Sequence, residues 1–189
     1  MKRLFAAIKV DPDATFLKTY SELRQMLRAG QITWVDDRKI HITLKFFGDT
    51  PEDSIPGMID LFAEIASRHP SFEVDLSGTG IFGSSYNPRV IWFGMSHLEA
   101  IGMLAEDVLN TFHNHGFPRD EQHFRPHLTI GRIKHFESKK YFQQVIDRFK
   151  TTYLQNIQVS RFELIESKLT PRGPIYTTLE TFGLKEKKA

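Results

Sequence analysis

Apolar and polar residues alternate through "KIHITLKFF" (39–47) with the period of two that marks a half-buried strand, and Gly48-Asp49 ends the run. Further runs are read as strands: "RLFAAIKV" (3–10), "SFEVDLSGTGIFG" (71–83), which alternates and then turns, the β-rich "PRVIWFGM" (88–95), "RPHLTIGRI" (125–133), "IQVSRFELIESKL" (157–169) and "PIYTTLETF" (174–182). Between them the spacing changes to that of helices. Phe16, Tyr20, Leu23 and Leu27 mark one face of a helix that opens at Asp11-Pro12 and stops at Gly30. "TPEDSIPGMIDLFAEIASRH" starts with Thr-Pro and acidic residues and carries Pro56 in its early part, "SHLEAIGMLAEDVLNTFHNHG" ends at Gly116, and "SKKYFQQVIDRFK" is a third such run after it. The order is β-α-β-α-β-β and then α-β-α-β-β, which resembles one unit written twice. No low-complexity linker separates the halves.

Two of the strands repeat a short pattern. His41-Ile42-Thr43-Leu44 and His127-Leu128-Thr129-Ile130 each read His-x-Thr-x, a little under half the chain apart. Alternate residues of a strand face the same way. Unbroken alternation therefore puts Lys39, His41, Thr43, Lys45 and Phe47 on one face, with Ile40, Ile42, Leu44 and Phe46 in the core. In the second copy it groups Arg125, His127, Thr129 and Gly131, and turns Arg132 away with Ile130. Phe47 on the first face is read as a core side chain rather than a stacking platform, and Gly131 as a place for a ligand to approach closely.

An imidazole, a hydroxyl and a cation on one face suit a phosphate, because hydroxyls and protonated imidazoles donate hydrogen bonds to its oxygens. A pair of histidines also suits in-line displacement at phosphorus: one neutral ring takes the nucleophile's proton while one protonated ring gives a proton to the departing oxygen. Parity alone does not decide which histidine plays which part. Lys45 and Arg125 are the candidate phosphate-binding cations.

Composition narrows the chemistry. The chain has 189 residues, 40% hydrophobic and 25% charged, the size and usage of one globular domain. It has no cysteine, which excludes disulfides, a Cys-ligated zinc site and a thiol nucleophile. A net charge of +2 is too small to argue for non-specific nucleic-acid binding by itself. No apolar run is long enough to span a membrane, and the basic start "MKRLFAAIKV" lacks the features of a signal peptide, so a cytoplasmic location is expected. His113-x-His115 falls at a helix end and His123-x₃-His127 straddles a loop–strand boundary, so no metal and no other cofactor is expected. No amphipathic segment is left over for a partner, and a monomer is expected.

"HITLKFFG" and "RPHLTIGR" resemble the paired signatures of the two-histidine phosphoesterase superfamily. With "RLFAAI", "RVIWFGM" and "SKLTPRGPIYTTL" the resemblance extends over nearly the whole chain, and it is fullest to bacterial and archaeal RNA 2′,3′-cyclic phosphodiesterases, also called 2′–5′ RNA ligases. It implies an α+β fold of two pseudo-symmetric lobes, each a curved antiparallel sheet with outer helices, around a central cleft, all within one domain spanning 1–189. It implies metal-independent hydrolysis of terminal RNA 2′,3′-cyclic phosphates to 2′-phosphates, with slow reverse joining of RNA ends, tRNA fragments among the substrates. Carried over, His41 is proton donor, His127 is proton acceptor, and Thr43 and Thr129 hold the non-bridging oxygens. Tyr176 stands where the family usually has tyrosine, at the cleft or within the sheet. The alternatives are a relative acting on small cyclic nucleotides or 2′–5′ oligoadenylates, a non-catalytic module that grips nucleotide ends, and a metal-dependent hydrolase.

Overall fold

The computed structural model describes residues 1–119, 124–171 and 173–186. In chain order the elements are β1 (Lys2–Lys9), α1 (Ala14–Met26), β2 (Gln31–Trp34), β3 (His41–Thr50), α2 (Ile55–Ala66), β4 (Phe72–Ser84), β5 (Asn87–Ser96), α3 (Leu98–Asn114), β6 (Leu128–His135), α4 (Lys139–Arg148), β7 (Tyr153–Val159), β8 (Arg161–Thr170) and β9 (Gly173–Gly183). The expected elements all form, with two differences. The four-residue strand β2 is too short for its alternation to stand out. The run "IQVSRFELIESKL" is two strands rather than one, broken at Ser160.

The strands form one strongly curled antiparallel sheet in the order β7-β4-β5-β6-β3-β1-β8-β9, with β2 paired to β6. The order is symmetric about its centre: β3 and β6, the two motif strands, lie side by side, and each is followed outward by three more strands. The centre is thin, because β3 and β6 pair only at Ile42 and Leu128. Beyond that point the motif strands diverge and a cleft opens between the halves.

The helices cover one face of the sheet. Phe16, Leu23, Met58, Phe62, Leu104, Val108, Phe112, Phe142 and Ile146 bury their side chains there against Leu4, Ile42, Leu44, Phe93, Leu128 and Ile130. Local signals set the helix ends. The Asp13 carboxylate accepts the Phe16 N–H at 2.8 Å and caps α1. Gly116, at φ 86°, supplies the left-handed residue that ends α3. The other face carries a small cluster of Phe5, Ala7 and Ile165 with Tyr176 packed on it, and this face lines the cleft. Among the described residues, no helix is long and apolar enough to cross a membrane.

Candidate active site

His41 and His127 open into one cavity of about 350 Å³ whose walls also include Thr43, Thr129, Arg132, Tyr176 and Trp34. The two motif strands supply one His–Thr pair each. On both strands the residue between them, Ile42 or Leu128, is fully buried on the helix side.

The alternation then fails at the same place in both strands. Along β1, Ala7 pairs with Thr43 but Ala6 with Lys45, which leaves Leu44 as an extra residue. Along β5, Trp92 pairs with Thr129 but Ile91 with Gly131, which leaves Ile130 extra. Each His-x-Thr-x motif thus ends in a β-bulge, and a bulge reverses the facing of everything after it. The carbonyl of Ile130, lifted out of the ladder, accepts the Val35 N–H at 3.0 Å and lies 3.1 Å from the Tyr20 hydroxyl of α1.

The bulges change the expected facing of five residues. Lys45 does not face the cleft: it is 2% exposed on the helix side, where its ammonium donates to the Pro118 carbonyl at 2.8 Å. Phe46 takes the cleft position instead, 43% exposed with the Arg3 guanidinium 4.7 Å from its ring centre. Phe47, after a second register shift, packs among Phe62, Phe112 and Phe117, so it is core as expected but not on the motif face. Arg132 lines the cleft rather than turning away. Gly131 makes room for protein, not ligand: a Cβ there would sit 3.0 Å from Ile32 and 3.1 Å from Trp34.

Arg125 has an exposed side chain and is not among the residues around the cavity; what it contributes is its carbonyl. Nδ1 of His127 lies 2.6 Å from the Arg125 oxygen, and Nδ1 of His41 lies 2.8 Å from that of Lys39. A carbonyl only accepts, so in both rings Nδ1 carries the hydrogen and Nε2 is left to exchange protons. Both imidazoles have pKa values below the ordinary histidine range. Burial is the main cause in each; the charge of His127 adds to it at His41, and that of Arg132 at His127.

Aromatic rings fix both imidazoles. His41 packs against Phe5, with ring centroids 5.0 Å apart, and against Tyr176 at 5.5 Å. His127 has Phe82 at 4.7 Å, and Phe82 in turn leans on Trp92. Trp92 lies flat over β4 because Gly80 has no side chain: a Cβ there would be 2.1 Å from the indole. Phe5, Phe82 and Trp92 come from strands that carry no motif, and only the sheet register brings them to the histidines. Burial raises the pKa of the Tyr176 hydroxyl, so it stays protonated at neutral pH and able to donate.

Among the described residues no three His, Asp or Glu side chains gather into a metal-binding group, and His123 lies outside the described residues. His115 is capped on its own helix by the Thr111 carbonyl at 2.8 Å.

Residues 11–170 match the sequence model of the 2′–5′ RNA ligase superfamily. An RNA 2′,3′-cyclic phosphodiesterase of Thermotoga maritima is 34% identical over 94% of this chain and 92% of its own. One of Methanothermobacter thermautotrophicus is 31% identical over 95% and 98%. The crystal structure of TT0787 of Thermus thermophilus superposes with a TM-score of 0.81 at 27% identity, covering 98% of this chain and all of that one.

Proposed function

Because this chain belongs to the 2′–5′ RNA ligase superfamily, we propose that it is an RNA 2′,3′-cyclic phosphodiesterase that opens terminal cyclic phosphates to 2′-phosphates with two histidines and no metal. The observation that carries this reading is the pair of imidazoles in one cavity, each with Nδ1 committed to a carbonyl and Nε2 left for chemistry.

In the proposed reaction His127 Nε2 takes a proton from water as the water oxygen attacks phosphorus. The bond from phosphorus to O3′ breaks in line, and the protonated Nε2 of His41 gives its proton to O3′. The product keeps phosphate on O2′, and the two rings have exchanged protonation states. Thr43 and Thr129 donate to the non-bridging oxygens; among the described residues neither hydroxyl is engaged elsewhere. The Arg132 guanidinium stabilises the charge that accumulates on those oxygens, the part first assigned to Lys45 and Arg125. The split between donor and acceptor follows the family. It puts the ribose on the His41 side, where exposed Phe46 offers a face for the terminal base. The same steps, with a ribose 5′-hydroxyl in place of water as the attacking group, would join RNA ends through a 2′–5′ linkage. The symmetric strand order and the paired bulges support reading the two halves as copies of one unit within a single domain.

The test is an RNA oligonucleotide ending in a 2′,3′-cyclic phosphate, incubated with excess chelator and followed by phosphorus NMR. A 2′-phosphate end is expected, with kcat lowered by about 10²–10⁴ in His41→Ala and in His127→Ala and KM changed far less. Turnover indifferent to both substitutions overturns the reading. So does activity that chelator abolishes and zinc restores.

A further inference from the structure

His41 and Tyr176 form a wall common to three cavities. One is the cavity that holds the histidine pair. The second, about 310 Å³, contains Phe46, Arg3 and Leu169. The third, about 430 Å³, contains Lys9, Asp11, Arg38, Lys39 and Ile175. The second and third are therefore the two ways onward from His41, and their linings differ. One has the exposed ring of Phe46 with the guanidinium groups of Arg3 and Arg132 beside it. The other has three cations against one carboxylate.

The charges in the third recess are not equally committed. Lys9 is 2.7 Å from Glu163, and Arg38 is paired through Nε and one terminal nitrogen with Asp36. Lys39, which also borders the cavity of the histidine pair, donates to the Pro174 carbonyl at 2.9 Å, a neutral acceptor; among the described residues its ammonium has no ion-pair partner and two of its three N–H groups are unused. Ile40 between Lys39 and His41 is extended, so the two residues stand about 6–7 Å apart along the chain, the scale of one sugar–phosphate unit.

We infer that this recess, centred on Lys39 with Arg38 at its mouth, is a subsite for the phosphate on the 5′ oxygen of the terminal nucleotide. The inference rests on the proposed function, and it deepens it: if the ribose sits at His41 and the base takes the Phe46 recess, the 5′ side of the sugar is directed to the cationic one. A terminal nucleotide within an RNA always carries that phosphate, and a cyclic mononucleoside does not. The subsite therefore selects chain ends over free 2′,3′-cyclic nucleosides, which separates the RNA reading from the small-nucleotide alternative. The β8–β9 hairpin builds the recess by bringing Pro174 over Lys39.

Three substrates test it: adenosine 2′,3′-cyclic phosphate, the same compound with a 5′-phosphate, and a dinucleotide ending in the cyclic phosphate. For the wild-type protein, kcat/KM is expected to be at least about tenfold higher with the 5′-phosphate or the 5′ nucleotide, the worth of one charge-assisted hydrogen bond. Lys39→Gln should bring that ratio close to one, and Arg38→Gln should lower it partway. The ratio is taken within each variant, so a general loss of turnover cancels. A wild-type ratio near one overturns the inference. So does a ratio that survives Lys39→Gln, which is the outcome if Lys39 instead holds the reacting phosphate or if the nucleoside lies on the His127 side. Equilibrium binding of adenosine 2′,5′-bisphosphate against adenosine 2′-phosphate asks the same question without turnover. If no cyclic substrate is hydrolysed, the proposed function fails, and the binding ratio still decides the subsite: a preference lost in Lys39→Gln upholds it, and equal affinities overturn it.

Discussion

The ring of Tyr176 stands edge-on to that of His41, with centroids 5.5 Å apart and planes at 89°. Phe5 packs beside both rings, 5.0 Å from His41 and 5.2 Å from Tyr176, so the imidazole is held by two adjoining rings and by the Lys39 carbonyl. Catalytic geometry tolerates little drift in a proton donor. Tyr176→Ala removes one wall and is expected to lower kcat about tenfold or more, because His41 then samples orientations that miss the leaving oxygen. Tyr176→Phe keeps the wall and separates the ring from the hydroxyl. If the ring is what matters, steady-state kinetics of this variant will stay within about threefold of wild type; a loss as large as that of Tyr176→Ala assigns the work to the hydroxyl.

Burial lowers the pKa of both histidines, and in each case it is the first cause. A lowered pKa means that the protonated form needed by the donor is lost at lower pH than for a free imidazole. The alkaline limb of kcat/KM, which reports the free protein, is therefore expected below about 6.5. A bound phosphodiester carries a negative charge that favours imidazolium, so the same limb in kcat should move upward. The two rings lie close enough to affect one another, so the limbs belong to the pair. Profiles of kcat/KM and kcat with an RNA cyclic-phosphate end measure both shifts; coincident limbs at or above 6.5 contradict this account.

Arg132 lowers the pKa of His127 through its charge and lines the same cavity. Two consequences follow from one substitution. Arg132→Ala removes a guanidinium from the reacting phosphate and is expected to lower kcat/KM about 10²-fold or more. It also removes a cation beside His127, so that histidine's pKa rises and the acid limb of kcat/KM moves up. A purely structural role for Arg132 would reduce activity without moving the limb. Arg132→Lys should restore the position of the limb better than the rate, because an ammonium keeps the charge but not the fork.

The sequence carried the motif faces correctly up to each threonine and wrongly after it. His41, Thr43, His127 and Thr129 obey a strict period of two, which is why their convergence was readable. The bulges at Leu44 and Ile130 add one ordinary aliphatic residue each, and nothing in the composition of "TLKFF" or "TIGRI" distinguishes a bulge from continued alternation. Hence Lys45 and Phe46 exchanged places, as did Gly131 and Arg132. The supporting rings Phe5, Phe82 and Trp92 depend on register between strands far apart in the chain, and Lys39's recess depends on the β8–β9 hairpin reaching over it. The end of α3 at Gly116 is local and was legible, whereas the start of α1, expected at Asp11-Pro12, is capped by Asp13.

Lys45 gives the sharpest contrast between the alternation and the bulge. If the alternation held, Lys45 would face substrate and its loss would cost activity. With the bulge it is a core residue whose ammonium bonds to the Pro118 carbonyl and lies 5.4 Å from the Phe47 ring, far from the cleft face. Lys45→Ala is then expected to destabilise the fold by about 2–4 kcal/mol, through a cavity in a packed core and a carbonyl left without its donor. The folded fraction should keep its kcat and KM. Urea unfolding combined with kinetics below the transition measures both quantities. A stable variant with crippled turnover would return Lys45 to the phosphate and remove the bulge at Leu44 from the argument.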